Sequence, residues 1–142
     1  MSELNLQPNV AASLQRWHEM IRQGDLQGLP DLLDAHAVFR SPMAHTPYPG
    51  AAVVAKILGT VIQVFEDFTY HRELASADGL SVVLEFSATV GEKTLKGIDM
   101  IRFDEHGKIV EFEVMVRPLS GLQALGEQMG QRLGAYLAAN KG

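Results

Sequence analysis

Cysteine is absent from the 142-residue chain, which excludes a disulfide framework, a thiolate nucleophile and cysteine-ligated zinc together. Clustered positive charge is absent too. Twelve Lys and Arg stand against 17 Asp and Glu, a formal net charge of -5, so nucleic acid is not an expected partner. No apolar stretch is long enough to span a bilayer, and Met1 to Gln7 lack the basic start and apolar run of an export signal. The expectation is a cytoplasmic protein with no membrane contact. Neither a phosphate-binding glycine loop nor a nucleophile elbow occurs, and Ser41 before Pro42 lacks the strand-turn-helix setting that would activate it. His18, His36, His45, His71 and His106 show no metal-ligand spacing, so no metal and no cofactor is expected. What remains is 46% hydrophobic and 20% charged residues, the balance of one globular domain spanning 1–142.

Hydrophobic periodicity orders that domain. Pro8-Asn9, with Asn9 as a capping residue, precedes Val10, Leu14, Trp17 and Ile21 at helical spacing, and Gly24 ends the helix. Leu26, Leu29, Leu32 and Leu33 predict a second short helix within 25–35, delayed or broken by Pro30. Ala37 to Arg40 reads as a short strand, and 41–50, with three prolines, reads as irregular loop. A third helix follows, from Val53 to Phe65, with apolar residues on more than one side. Extended segments over 68–76, 80–90, 94–104 and 109–118 are separated by Asp78-Gly79, Val90-Gly91-Glu92 and Glu105-His106-Gly107. This order predicts an α+β domain, a cone in which a curved antiparallel sheet wraps around the N-terminal helices. An additional C-terminal helix over about 119–139 carries Leu122, Leu125, Met129, Leu133 and Leu137 on one side. Gly126, Gly130 and Gly134 recur on another side, which points to a backbone held close to a neighbour, as a pocket lid or a subunit contact.

Alternation on the third long strand places Asp99 on the same face as Leu95, Gly97, Ile101 and Phe103. The next strand presents Phe112, Val114 and Val116 to that face. An inward carboxylate there requires hydrogen-bond partners, or its pKa rises until it is neutral at ordinary pH. Asp99 is therefore the leading site candidate. His18, beside Trp17, and His45, in the proline-rich loop near Ser41, are the groups able to supply a base, and a solvent-facing His45 is the competing reading. Arg40 alternates away from Ser41 and reads as a sheet-surface residue, while Tyr48 and Tyr70 either line the mouth or pack in the core.

The segment Gly97-Ile98-Asp99-Met100-Ile101-Arg102-Phe103-Asp104-Glu105-His106-Gly107-Lys108-Ile109 resembles the strand-hairpin-strand of bacterial ketosteroid isomerases. Gly24-Asp25, the run Ala37 to Pro42, and Pro49-Gly50 fall where that superfamily, nuclear transport factor 2-like or SnoaL-like, has corresponding elements, and the resemblance covers roughly 10–118. Its members include isomerases, polyketide cyclases, epoxide hydrolases, dehydratases and non-catalytic modules, so the resemblance implies fold more firmly than function. It assigns Asp99 to the protonated acid that holds the dienolate oxygen. The tyrosine donor of the first helix corresponds to Trp17, and the proton-shuttling aspartate corresponds to Ser41, which is no general base near pH 7. The supporting tyrosines correspond to Leu33 and Leu58. The resemblance thus implies an apolar cone pocket that keeps an acid and loses its base, which argues against steroid isomerisation proper.

The expected pocket wall comprises Trp17, Met43, Ile57, Val61 and Phe65 from the helices and loop. From the sheet it adds Leu84, Phe86, Leu95 and Ile101, with Phe112, Val114 and Val116 on the last strand. Asp99 is the expected catalytic acid, with His45 and Ser41 as further candidates. Two functions follow as expectations: a hydrophobic small molecule bound for cofactor-free cyclisation, isomerisation or dehydration, or a non-catalytic binding or dimer-scaffold module. The family resemblance also implies a homodimer paired through the outer sheet face, which carries Val83, Ile98, Met100 and Met115.

Overall fold

The structure, a computed structural model, describes residues 4–141. Helix α1 (Pro8–Gln23) buries Val10, Leu14 and Trp17 of the predicted stripe, with Met20 buried in addition and Ile21 only half-buried. Pro8 occupies the first helical turn behind Gln7, where a missing N–H costs nothing. Asn9 is thus inside the helix rather than capping it, and its side chain donates to the Glu105 carbonyl instead (3.1 Å). Ser13 Oγ donates to the Gly107 carbonyl nearby (2.6 Å). These two bonds fix α1 to the turn before the last strand and so set the depth of Trp17.

The expected second helix is shorter than predicted: a single 3-10 turn at Leu29–Leu32, after which strand β1 begins at once (Leu33–Arg40). Pro30 is accommodated at the start of the turn but leaves no room for α-helix before the chain extends. Within the proline-rich loop, Tyr48–Pro49 forms a two-residue strand β2 paired with Val38 and Phe39, a short edge where proline's lost donor is tolerated. Helix α2 (Ala51–Val64) buries Val53, Val54, Ile57 and Leu58. Strands β3 (Glu66–Ala75), β4 (Ser81–Val90), β5 (Lys93–Phe103) and β6 (Ile109–Arg117) follow, and α3 (Leu119–Ala139) closes the chain.

Six strands form one curved, unclosed sheet in the order β2-β1-β6-β5-β4-β3. It is mixed rather than antiparallel throughout, because β1 runs parallel to β6, with Phe39 beside Phe112. The connection between them is long enough to hold α2 and four strands, as a parallel pairing requires. The register sets Leu84, Asp99 and Val114 in one row across β4, β5 and β6. Asp99 is 6% exposed. Gly97 is forced by close approach: a Cβ there would lie 2.4 Å from the Met115 carbonyl oxygen and 2.6 Å from the Phe86 ring.

Helix α3 packs on α2 and on strands β4, β5 and β6. The glycine row behaves differently from its expectation. Of the three, Gly126 alone approaches a neighbour among the described residues, the flexible Met43 side chain, whereas a Cβ at Gly130 or Gly134 would meet none of them within 4 Å. The firm backbone approach belongs to Gly121, against Leu95 and the Thr94 carbonyl. On the outer sheet face Glu85 pairs with Arg72 and Lys96 (2.9 Å each), which holds its carboxyl well below the usual range. Arg40 lies on that surface too, paired with Glu111, as its alternation predicts.

Candidate functional site

Between α1, α2, α3 and the inner sheet face lies a cavity of about 230 Å³. Trp17, Met43, Ile57, Val61 and Phe65 border it, as do Phe112, Val114 and Leu58. Its polar side chains are few: the Trp17 indole, Ser41, Tyr48, Tyr70, Asp99 and, from just beyond α3, Lys141. Leu84, Phe86, Leu95 and Ile101 face the same side of the sheet but are packed away from the cavity in the closed core, and Val116 does not border it either. The reason is local. Phe65, Phe68 and Phe86 stack with centroids 5.1–5.6 Å apart and fill that end of the cone, and Gly121 brings α3 down onto Leu95.

Asp99 accepts a hydrogen bond at Oδ2 from the Tyr70 hydroxyl (2.6 Å), and the Tyr70 oxygen in turn accepts from Trp17 Nε1 (2.9 Å). Asp99 Oδ1 makes no hydrogen bond among the described residues. Burial raises the Asp99 carboxyl from its ordinary 3.8 to about 7, against the opposing pull of the Tyr70 hydrogen bond. The same burial, and then the adjoining carboxyl, drives the Tyr70 phenol well above its usual value, so the phenol keeps its proton and remains the donor. Such a group, near neutral and facing apolar space, is a site candidate on physical grounds.

The histidines do not join it. His45 is exposed and does not border the cavity, because Ala44 and Tyr48 turn inward on either side of it. His18 lies on the far side of Tyr70, ring edge toward the tyrosine at 5.2 Å, with Nε2 2.8 Å from Glu73 Oε2. A register shift in β3 between Tyr70 and Glu73 breaks the alternation there. His18 therefore faces Glu73 rather than Asp99. Ser41 does reach the cavity, its Oγ accepting from the Met43 N–H (3.0 Å) and its hydroxyl proton free to turn inward. Among the described residues no group of three or more His, Asp or Glu side chains stands close enough to hold a metal ion, and no helix is long and apolar enough to cross a membrane.

Tyr70 is the residue that sequence reasoning undervalued. Its signal was the pair Phe68-x-Tyr70, two aromatics on one face of an edge strand, with Tyr70 paired opposite the buried Phe86. A tyrosine at the inward position of a strand must find a partner for its hydroxyl.

None of the curated proteins matches the chain. A crystal structure described as a steroid delta-isomerase from Pseudomonas aeruginosa is 70% identical, with 96% of this chain and 99% of that one covered, at a TM-score of 0.92. An uncharacterized protein with a cystatin-like fold from Silicibacter pomeroyi is 33% identical over 96% of this chain and 94% of its own, at a TM-score of 0.82. SalBIII, an epoxide hydrolase/cyclase-like enzyme with a role in pyran ring formation in salinomycin, shares the fold alone, at 14% identity, TM-score 0.65, and coverage of 82% and 96%. The SnoaL-like domain matches residues 14–112, a span that holds Trp17, Ser41, Tyr70 and Asp99 and every strand up to Phe112. On that match and those two closer relatives, the chain belongs to the SnoaL-like domain family of nuclear transport factor 2-like fold.

Proposed function

We propose that the protein binds a hydrophobic ring compound carrying one oxygen function in the cone cavity, with Asp99 as the acid that holds and polarises that oxygen. The observation that carries this reading is a buried carboxyl, neutral in a large share of molecules near pH 7, whose Oδ1 has no hydrogen-bond partner among the described residues and which borders a mainly apolar cavity. A neutral carboxylic acid donates to a carbonyl or hydroxyl oxygen and lowers the cost of developing negative charge there. That is the acid half of an enolisation, a ring closure or a dehydration. No cofactor enters these steps.

A double-bond shift is the second reading, favoured by the 70% identical relative described as a steroid delta-isomerase. Asp99 is the only carboxyl bordering the cavity among the described residues, so it would act alone. Titrating near 7, its ionised fraction can take a proton from the carbon beside the carbonyl, leave a dienolate, and return that proton two carbons further along, ending ionised as it began. The Ser41 hydroxyl, on the cavity lining, is a donor available to the dienolate oxygen. A binding module without catalysis keeps the cavity and Asp99 but turns nothing over.

Thermal shift with 2-naphthol and androst-4-ene-3,17-dione tests binding, since a ligand of the native state raises the midpoint. The expected result is a rise in the wild type that Asp99→Leu abolishes. Conversion of androst-5-ene-3,17-dione to its conjugated isomer, lost in Asp99→Asn, supports the shift reading; binding of both probes without conversion leaves the acid or module readings. No midpoint change with either probe sinks the cavity reading altogether. We also propose a homodimer through the outer sheet face, where Met115 is 43% exposed beside Ile98 and Met100.

A further inference from the structure

The Tyr70 hydroxyl occupies the place that a ligand's oxygen would take. It is held by the two polar groups at the sheet end of the cavity, accepting from the Trp17 indole N–H at 2.9 Å and bonded to the Asp99 carboxyl at 2.6 Å. Any neutral hydroxyl or carbonyl oxygen set between them would find the same donor and the same acid. The tyrosine is also placed to leave. Strand β3 is an edge of the sheet, paired only with β4, and its register slips on both sides of Thr69-Tyr70. Behind the ring lies an open groove of about 1070 Å³ between α1 and β3. Ile21, Ile62, Phe68 and Tyr70 border both spaces, so these four side chains form the wall between them.

Volume gives the wall a purpose. The cavity of about 230 Å³ falls below the roughly 300–1,000 Å³ of pockets that take drug-sized ligands. A ligand of more than two fused rings needs further space, and the groove is the adjoining space that one side-chain movement would add.

We propose that Tyr70 is a built-in stand-in for the ligand's oxygen: a neutral phenol or ring ketone displaces its hydroxyl from Trp17 and Asp99, and the tyrosine ring turns into the α1–β3 groove. This rests on the cavity reading above and names its ligand class more narrowly. Carboxylates are disfavoured in that class, because a charged ligand oxygen at this position would stand against the Asp99 carboxyl, while Lys141, the one cation on the cavity lining among the described residues, lies just beyond α3. Tyr70 in this role competes with the ligand rather than helping to bind it, and that sets the sign of the test.

Tyr70→Phe keeps the ring in the wall and removes the competing hydroxyl. Titration calorimetry with 2-naphthol is expected to show binding about fivefold tighter than wild type, the worth of one net hydrogen bond no longer displaced. 2-Naphthoate should bind both proteins more weakly than 2-naphthol does. Equal or weaker 2-naphthol binding by Tyr70→Phe overturns the proposal and makes Tyr70 a fixed part of the wall, while leaving the cavity reading standing. Absence of 2-naphthol binding to both proteins removes both. Should Tyr70→Phe fail to fold, the wild type decides: with one tryptophan in the chain, a single indole N–H resonance reports the Trp17 bond. That resonance must move as 2-naphthol saturates the protein; a resonance that stays in place at saturation overturns the displacement.

Discussion

Replacing Asp99 by asparagine should change how stability depends on pH, and in the direction opposite to that of an ordinary paired carboxylate. The amide still accepts the Tyr70 hydroxyl proton that Oδ2 accepts at 2.6 Å, and it carries no charge in either state, so the fold is kept. In the wild type the folded carboxyl titrates near 7 and the unfolded one near its ordinary 3.8. Between those values the folded state holds a proton that the unfolded state has released, so stability falls as pH rises and levels off above 7. The full span is worth about 4 kcal/mol at about 1.36 kcal/mol per tenfold, of which about 3 kcal/mol falls between about pH 5 and 8. Urea denaturation at both pH values, with m of about 1–3 kcal/mol/M, should show the wild-type midpoint dropping relative to Asp99→Asn by about 1–3 M. Every other titrating group cancels in that comparison, including Asp78, Glu85 and Glu111, whose carboxyls are held low and contribute fully above pH 5. Parallel pH profiles for the two proteins would mean that Asp99 is solvated in solution, and the acid proposed for the cavity would lose its physical basis.

Three further outcomes are expected. Gly97→Ala should cost about 1–3 kcal/mol in urea denaturation, because its Cβ meets the Met115 carbonyl at 2.4 Å and backbone cannot yield as a side chain can; a neutral result would refute the close approach. Gly134→Ala should instead stabilise by about 0.5–1 kcal/mol, since nothing lies within 4 Å and alanine is the better helix former; a loss of stability would show that α3 needs the gap for a partner. Light scattering after size exclusion should find a dimer that Met115→Lys shifts to monomer at micromolar concentration, and a wild-type monomer would remove the outer-face pairing.

The parts of this site that were legible in the sequence are those fixed by local period. Alternation on one strand was enough to turn Asp99 inward among Gly97, Ile101 and Phe103, because a one-residue slip would have exposed the whole apolar set. Helical spacing placed Trp17, Ile57 and Val61 on inward stripes for the same reason. What period could not show was which inward residues meet empty space and which meet each other. Leu84, Phe86 and Ile101 satisfy the same alternation as Asp99, yet stacked phenylalanines close that end of the cone, and stacking depends on rotamers and on where α3 lands. Tyr70 was hidden differently. Its register shift lies between two strands, where no single-strand pattern registers it, and the shift decides that Tyr70 meets Asp99 while Glu73 meets His18. The base expected from a histidine is thereby withdrawn to the outside of the wall, and the acid is left with a phenol for company. That exchange is why the chemistry here turns on whether a ligand can take the phenol's place.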